Sequence, residues 1–238
     1  MKQRQTEWLE DINLSYHQEQ FNNTFRSTVH FCDWLERIQL ISPESSITIA
    51  DFACGQGANI YYMSKRYPKC KFIGVELNPE LVKIGNSFFI DNGVQNCQLI
   101  QADMYNIPVA ELPIIDAIVS FHTLRWMPEY TSLLKAILSF APQWTALTSL
   151  FYDGPISCKI EVQDYDSDLN PSTQSYYNIY SLPQVKHFLA ENFYSIFNSQ
   201  PFNIDIDLPR NTDKKRGTYT EKTENGERIQ ISGPILMP

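Results

Sequence analysis

Cysteine is scarce in this 238-residue chain and poorly placed for pairing. The five residues (Cys32, Cys54, Cys70, Cys97 and Cys158) are odd in number and scattered, with no C-x-x-C. That pattern argues against a disulfide frame or a zinc site and reads as buried thiols in a reducing compartment. The opening stretch MKQRQTEWLEDINLSYHQEQ contains no apolar core of a signal peptide. No run of about 18 uncharged apolar residues is present, so nothing is expected to span a membrane. Basic residues are in deficit, 19 against 27 acidic, for a net charge of −8. A protein that lives on the phosphate backbone of nucleic acid draws its affinity from lysine and arginine, so this balance speaks against such a partner. Repeats, low-complexity tracts and an interdomain linker are also missing. The expectation is a soluble, cytoplasmic protein with no membrane, nucleic-acid or metal partner, and nothing in the sequence indicates an oligomeric state.

What is present is an ordinary globular composition, 43% hydrophobic. A chain of this length buries about 70% of its unfolded surface and needs no staple. Residues 1–42 read as a helical cap. Trp8, Ile12 and Tyr16 fall at helical spacing, and Phe21, Phe25, Val29, Cys32 and Leu35 continue one apolar stripe up to Ser42-Pro43. Strand-like runs follow at Ile47–Phe52, Lys71–Val75, Cys97–Gln101, Ile115–Ser120 and Thr145–Tyr152. Helical segments alternate with them around Ile60–Arg66, Pro79–Asn92 and Tyr130–Phe140. Such alternation predicts βαβ units, a mostly parallel sheet and helices on both faces. Residues 153–182 break the rhythm as a long, polar, tyrosine-rich insertion with a turn signal at Asn170-Pro171, the pattern of a lid or binding loop. A helix over Leu182–Asn192 precedes C-terminal strands within 202–238. These are Phe202–Leu208, Gly217–Thr223 and Glu227–Ser232, the last two joined by an Asn225-Gly226 hairpin turn.

The chemistry is concentrated in Ile47-Thr48-Ile49-Ala50-Asp51-Phe52-Ala53-Cys54-Gly55-Gln56-Gly57-Ala58-Asn59. A strand ends in an acid, and a small-residue loop then opens a helix. Ligands of open α/β sheets bind beyond the carboxyl ends of the strands. Gly55 and Gly57 let the backbone approach a ligand, and the helix start presents free N–H groups. Ile60 occupies the third position of a G-x-G-x-x-G dinucleotide pattern, and no phosphate-binding G-x-x-x-x-G-K-[ST] loop exists. Asp51 would repel a pyrophosphate but suits a cationic amino group. Glu76, ending the next strand, can accept two hydrogen bonds from ribose hydroxyls. Asp103, after the third strand, can accept from an adenine amino group, with Leu77 and Met104 as walls for the base. Each residue also has a plainer reading: Asp51 as a helix cap, Glu76 as a surface acid, Asp103 as one of the acids common after a strand and the glycines as a tight turn.

Together these motifs resemble the class I methyltransferases that use S-adenosyl-L-methionine (AdoMet), of the small-molecule type. The first motif of that family resembles D-x-G-x-G-x-G; Ala53 stands where the family more often has glycine. The second is an acid ending the second strand and the third an Asp after the third strand. The segment Asp116-Ala117-Ile118-Val119-Ser120-Phe121-His122-Thr123-Leu124-Arg125-Trp126-Met127 is similar to the fourth. The match covers about Ile41–Phe151. It implies a Rossmann-like, seven-stranded, mostly parallel sheet with an antiparallel C-terminal hairpin, and a methyltransferase domain over residues 43–238. The cofactor is then AdoMet, bound by Asp51, Ala53, Gly55, Gly57, Glu76, Leu77, Asp103, Met104 and Ser120.

Methyl transfer to an alcohol needs a base near the methyl group. His122, at the end of the fourth strand, is the first candidate and Asp153 the second, while a packing role for His122 stays open. Tyr16, Trp126, Tyr177 and Tyr180 offer flat faces with polar tips for an acceptor, or pack a lid. Two tail phrases, Tyr177-Asn178-Ile179-Tyr180-Ser181-Leu182-Pro183 and Gly217-Thr218-Tyr219-Thr220, resemble those of methyltransferases of bacterial glycan and other secondary-product pathways. They tilt the expected acceptor toward a sugar hydroxyl. An amine or carboxylate acceptor, or a non-catalytic AdoMet-binding module, is the alternative. His17, His30 and His187 carry no partner signal.

Overall fold

A computed structural model describes residues 14–107, 112–192, 196–210 and 217–233, with the side chains of 14–16, 217, 232 and 233 left aside. Trp8 and Ile12 therefore lie outside the described residues. Two helices, α1 (Leu14–Asn22) and α2 (Arg26–Arg37), precede the sheet. There follow β1 (Thr48–Phe52), α3 (Ala58–Arg66), β2 (Lys71–Glu76), α4 (Pro79–Asp91), β3 (Cys97–Gln101) and β4 (Ala117–Phe121). A 3₁₀ turn (Leu124–Trp126), α5 (Tyr130–Leu138) and β5 (Trp144–Thr148) complete the central unit.

The sheet order is β3-β2-β1-β4-β5, with every pair parallel. The chain reverses direction across the sheet between β1 and β4, so the crevice forms beyond their carboxyl ends. Residues 49–52 of β1 and all of β4 are buried, as parallel strands covered on both faces must be. One face packs Ile49 and Val119 against Phe31, Leu35, Ile60 and Phe89; the other packs Phe52 and Ile118 against Leu133, Ile137 and Val185.

The central sheet has five strands among the described residues, not seven. The expected fifth run divides after Thr148. Phe151–Tyr152 (β6) instead pairs in parallel with Tyr180–Ser181 (β9) in a sheet of its own. The C-terminal hairpin, β10 (Gly217–Lys222) and β11 (Arg228–Gly233), pairs with itself around Gly226. Phe202–Leu208 forms no strand. Pro201 and Pro209 bracket it, and its acids turn outward to ion pairs, Asp207 with Lys222 at 2.7 Å and Arg228 at 2.9 Å.

The insertion is not structureless. β7 (Glu161–Tyr165) and β8 (Pro171–Tyr176) form an antiparallel hairpin, followed by β9 and α6 (Leu182–Glu191). Asp166 closes its tip, accepting from the N–H groups of Asp168 and Asn170 at 2.9 Å each. The hairpin's polar, exposed sides hide it from a search for alternating apolar residues. Two further expectations fail locally. Phe25 caps α2 and is 38% exposed rather than part of the buried stripe, and Cys158 is an exposed thiol.

Candidate functional site

The loop after β1 is built from left-handed backbone. Ala53, Gly55 and Gly57 have φ of 59°, 58° and 84°. Ala53 therefore adopts the conformation that makes glycine the easier residue at this position, at a cost of about 1 kcal/mol or more. A Cβ at Gly57 would stand 2.9 Å from the Phe89 ring. Across the loop, Gly85 on α4 lets the helix approach so closely that a Cβ would stand 2.4 Å from the Gln56 carbonyl oxygen. Because that neighbour is backbone, Gly85→Ala must shift either the loop or the helix. We expect a loss of about 1–3 kcal/mol, read as a lower melting temperature; an unchanged melting temperature would refute the close packing.

Glu76 ends β2 and faces this loop. Its Oε2 accepts from the Gly55 N–H and its Oε1 from the Asn78 N–H, both at 2.9 Å. One carboxylate thus fixes the loop and the start of α4, and its remaining lone pairs can accept from a ligand. Asp51 is fully buried and neither of its oxygens has a hydrogen-bond partner. Burial first, and the nearby Glu76 charge second, push its carboxyl well above the usual range. Burial also raises Glu76, against the backbone N–H groups that lower it. A buried carboxylate with no donor is costly and points to a function.

Asp103 follows β3. Its Oδ1 accepts from the Tyr105 N–H at 3.0 Å and its Oδ2 from the Asn106 amide at 2.7 Å, so it also organises its own turn. Leu77 is half-buried next to Glu76, and Met104 packs on the second core face. Ser120 is buried and donates to the Phe52 carbonyl at 2.7 Å, tying the end of β4 to the end of β1.

His122 follows β4 with φ 60°, a rare conformation for a side chain of its size. Its N–H donates to both the carbonyl and Oγ1 of Thr148 at 3.0 Å. Its Nε2 lies 3.4 Å from Ser27 Oγ on α2. Burial, and then the Arg125 cation, push the imidazole down to about 4, so it is neutral at physiological pH. Asp153 is exposed after β6, and no hydrogen bond joins it to His122. Tyr180 is fully enclosed: its hydroxyl donates to the Met127 carbonyl at 2.7 Å, and its ring meets Tyr130 edge-on. Tyr177 is likewise buried, edge-on to Trp126, with Arg125 lying 5.2 Å and 5.5 Å from the Trp126 and Tyr177 ring centroids. The structure thus brings Trp126 and Tyr177 together but encloses Tyr180 in packing. The side chain of Tyr16 is outside the described ones.

Several residues of this region escaped the sequence reading. Asn178 is buried, accepts from the Ile160 N–H at 2.9 Å and donates to the Met127 carbonyl at 2.7 Å, stitching the insertion to the turn after β4. Ser27 and Arg125 flank His122, and an S-x-H-x-L-R-W string carries no spacing signal for either. His17 is not a bystander: its ring covers the glycine loop so closely that a Cβ at Gly55 would stand 2.8 Å from it, and burial lowers its basicity. His30 and His187 have ordinary neighbours, Gln200 at 2.9 Å and Glu191 at 3.2 Å.

Residues 49–141 match the sequence model of a family described as a methyltransferase domain. Trans-aconitate 2-methyltransferase of Escherichia coli is 27% identical over 106 residues, 44% of this chain and 39% of that enzyme. The chain thus spans about two fifths of the length of its curated relatives. Among solved structures, the O-methyltransferase of a trans-AT PKS multienzyme of Brevibacillus brevis, in complex with S-adenosyl-L-homocysteine, superposes with a TM-score of 0.50 at 14% identity. That superposition covers 74% of this chain and 55% of the other, and it shows a shared fold. Among the described residues, no helix is long and apolar enough to cross a membrane, and no cluster of side chains is suited to hold a metal ion.

Proposed function

We propose that this chain, which matches a methyltransferase domain over residues 49–141, is a class I AdoMet-dependent methyltransferase that transfers a methyl group to a hydroxyl oxygen of a small molecule. The observation that carries this reading is the buried, donor-less Asp51 beside the left-handed glycine loop. The residues fit the cofactor. Asp51 would meet its amino group, the backbone of Gly55 and Gly57 its amino-acid portion, Glu76 its ribose, and Asp103, Leu77 and Met104 its adenine. Bound, the cofactor supplies an activated methyl: a C–O bond forms as the C–S bond breaks, with the electron pair going to sulfur. The chain's own share is to align the acceptor, exclude water and take the hydroxyl proton, which we assign to His122 Nε2. Ser27 lies against that imidazole, and Thr148 fixes the His122 backbone N–H that carries it. The first turn of α2, with Ser27 beside His122, would supply one wall on the acceptor side. A cytoplasmic location accords with the scattered thiols.

A second reading is favoured by Arg125, whose cation lies close to His122, and by the carboxylate chemistry in the name of the Escherichia coli relative. There the acceptor oxygen belongs to a carboxylate, and no base is needed. Calorimetric titration of S-adenosylhomocysteine beside NADH tests the cofactor. We expect the former alone to bind, and Glu76→Ala to weaken it roughly ten- to hundredfold, through lost charged hydrogen bonds of about 1.5–3 kcal/mol. Unchanged affinity would remove Glu76 from the site. Cofactor binding without turnover on any acceptor would leave a regulatory module.

A further inference from the structure

A groove of about 240 Å³ runs between the first turn of α2 and the segment after Pro201. Phe25, Phe202, Ile204, Ile206 and Leu208 form its walls. Phe25, Phe202 and Ile206 are 38%, 40% and 47% exposed, a contiguous apolar surface of the kind that marks a binding site. Arg26 stands at the rim and is ion-paired with Asp205, so the one charged residue of the lining is already neutralised from within the chain. The outer wall is held in place. The Leu208 carbonyl accepts from the Thr220 N–H of the C-terminal hairpin at 2.9 Å, the Leu208 N–H donates to Thr220 Oγ1 at 2.8 Å, and Phe202 packs 5.2 Å from the His30 ring. The remaining lining residue, Ser27, is the one whose hydroxyl lies 3.4 Å from His122 Nε2.

We propose that this groove is the acceptor site and that it takes a neutral, hydroxylated aromatic ring, presented to His122 past Ser27. The proposal rests on the methyltransferase reading above and names its substrate class. Walls of phenylalanine, isoleucine and leucine offer a sugar no hydrogen bonds, whereas the faces of Phe25 and Phe202 suit a flat ring. A volume this small, below the usual range for drug-sized ligands, fits one or two rings. A carboxylate would meet no uncompensated cation in the lining. The expected acceptor thus departs from the sugar suggested by the tail phrases.

The test is equilibrium binding of phenol, catechol and 2-naphthol to the full chain saturated with S-adenosylhomocysteine, with glucose and trans-aconitate as controls. We expect at least one phenol to bind, the controls not to compete, and Phe202→Ser to weaken the phenol about tenfold while S-adenosylhomocysteine affinity stays unchanged. Phe202→Leu should restore most of the loss, and circular dichroism checks that both variants fold. The proposal is overturned if no phenol binds, if Phe202→Ser binds as well as the wild type, or if trans-aconitate displaces the phenol. It is also overturned if sedimentation shows a dimer that Phe202→Ser dissociates, since a second copy would then occupy the groove. Failure of S-adenosylhomocysteine itself to bind would instead sink the cofactor reading on which the proposal stands.

Discussion

Asp51→Asn should stabilise the ligand-free protein and, in the same molecule, remove most of its affinity for S-adenosylhomocysteine. The carboxylate is fully buried without a donor, and Glu76 adds a second negative charge. An amide of the same shape relieves the charge. The gain should be about 1–3 kcal/mol, or several degrees in melting temperature for a chain of this size. Linkage fixes its pH dependence. An acid whose pKa is raised on folding holds more protons folded than unfolded, so the wild type loses stability as pH climbs from about 4 through the raised value. The advantage of the Asn variant should therefore widen from acid to neutral pH. Ligand reverses the order: the wild type gains a charged partner for its amino group, and the variant gives up roughly ten- to hundredfold in affinity. Thermal unfolding with and without S-adenosylhomocysteine, at pH 5 and pH 7.5, reads both effects. A variant that is less stable without ligand, or that binds as tightly as the wild type, would show that Asp51 serves packing.

The parts of the fold legible in the sequence are those with one strong local period. The central strands β1, β2 and β4 read as mostly apolar runs because both faces are covered, and four of the five strands match to within two residues at each end. The helices α3 to α6 were equally plain; Asn78, which caps α4 by accepting from the Glu80 N–H at 2.9 Å, follows the acid it helps to orient. Where pairing is decided by distant partners, pattern gave less. Phe202–Leu208 alternates like a strand and touches β10 through Leu208 and Thr220, yet it forms no strand, because proline brackets it and ion pairs claim its acids. The β7–β8 hairpin alternates nothing apolar and was missed for the opposite reason. The same division runs through the site. Asp51, Glu76 and Asp103 lie at successive strand ends, where topology alone predicts a ligand. Ser27, His17 and Asn178 reach the site from elements far away in sequence, and only packing brings them there.

The largest kinetic effect should come from His122→Asn, chosen because asparagine tolerates the φ of 60° that His122 adopts. We expect turnover to fall by about 10²–10⁴, the usual contribution of a positioned base, with S-adenosylhomocysteine affinity within twofold of wild type. The imidazole is pushed down to about 4 by burial and then by Arg125, so it is already unprotonated at pH 5. Wild-type turnover should stay level from about pH 5 to 8 and fall only as pH approaches 4, whereas an unshifted histidine would lose activity below about 6.5. Folding carries the same signature with its own sign. A histidine whose pKa is lowered on folding binds more protons unfolded, so the wild type loses stability as pH falls from about 6.5 to 4, by about 3 kcal/mol in all. His122→Asn removes that acid-side loss, which separates titration of this residue from any general acid unfolding. The low basicity also constrains the acceptor. A base near 4 faces a gap of about 6 units to a phenol of pKa about 10, and nearly 12 to a hydroxyl as weakly acidic as water, at about 15.7. Turnover on matched phenols should rise as the phenol becomes more acidic, and an aliphatic alcohol of equal size should react far more slowly. Full activity of His122→Asn on a phenol would return His122 to a packing role, and equal rates on the alcohol would leave its depressed basicity without bearing on the choice of acceptor.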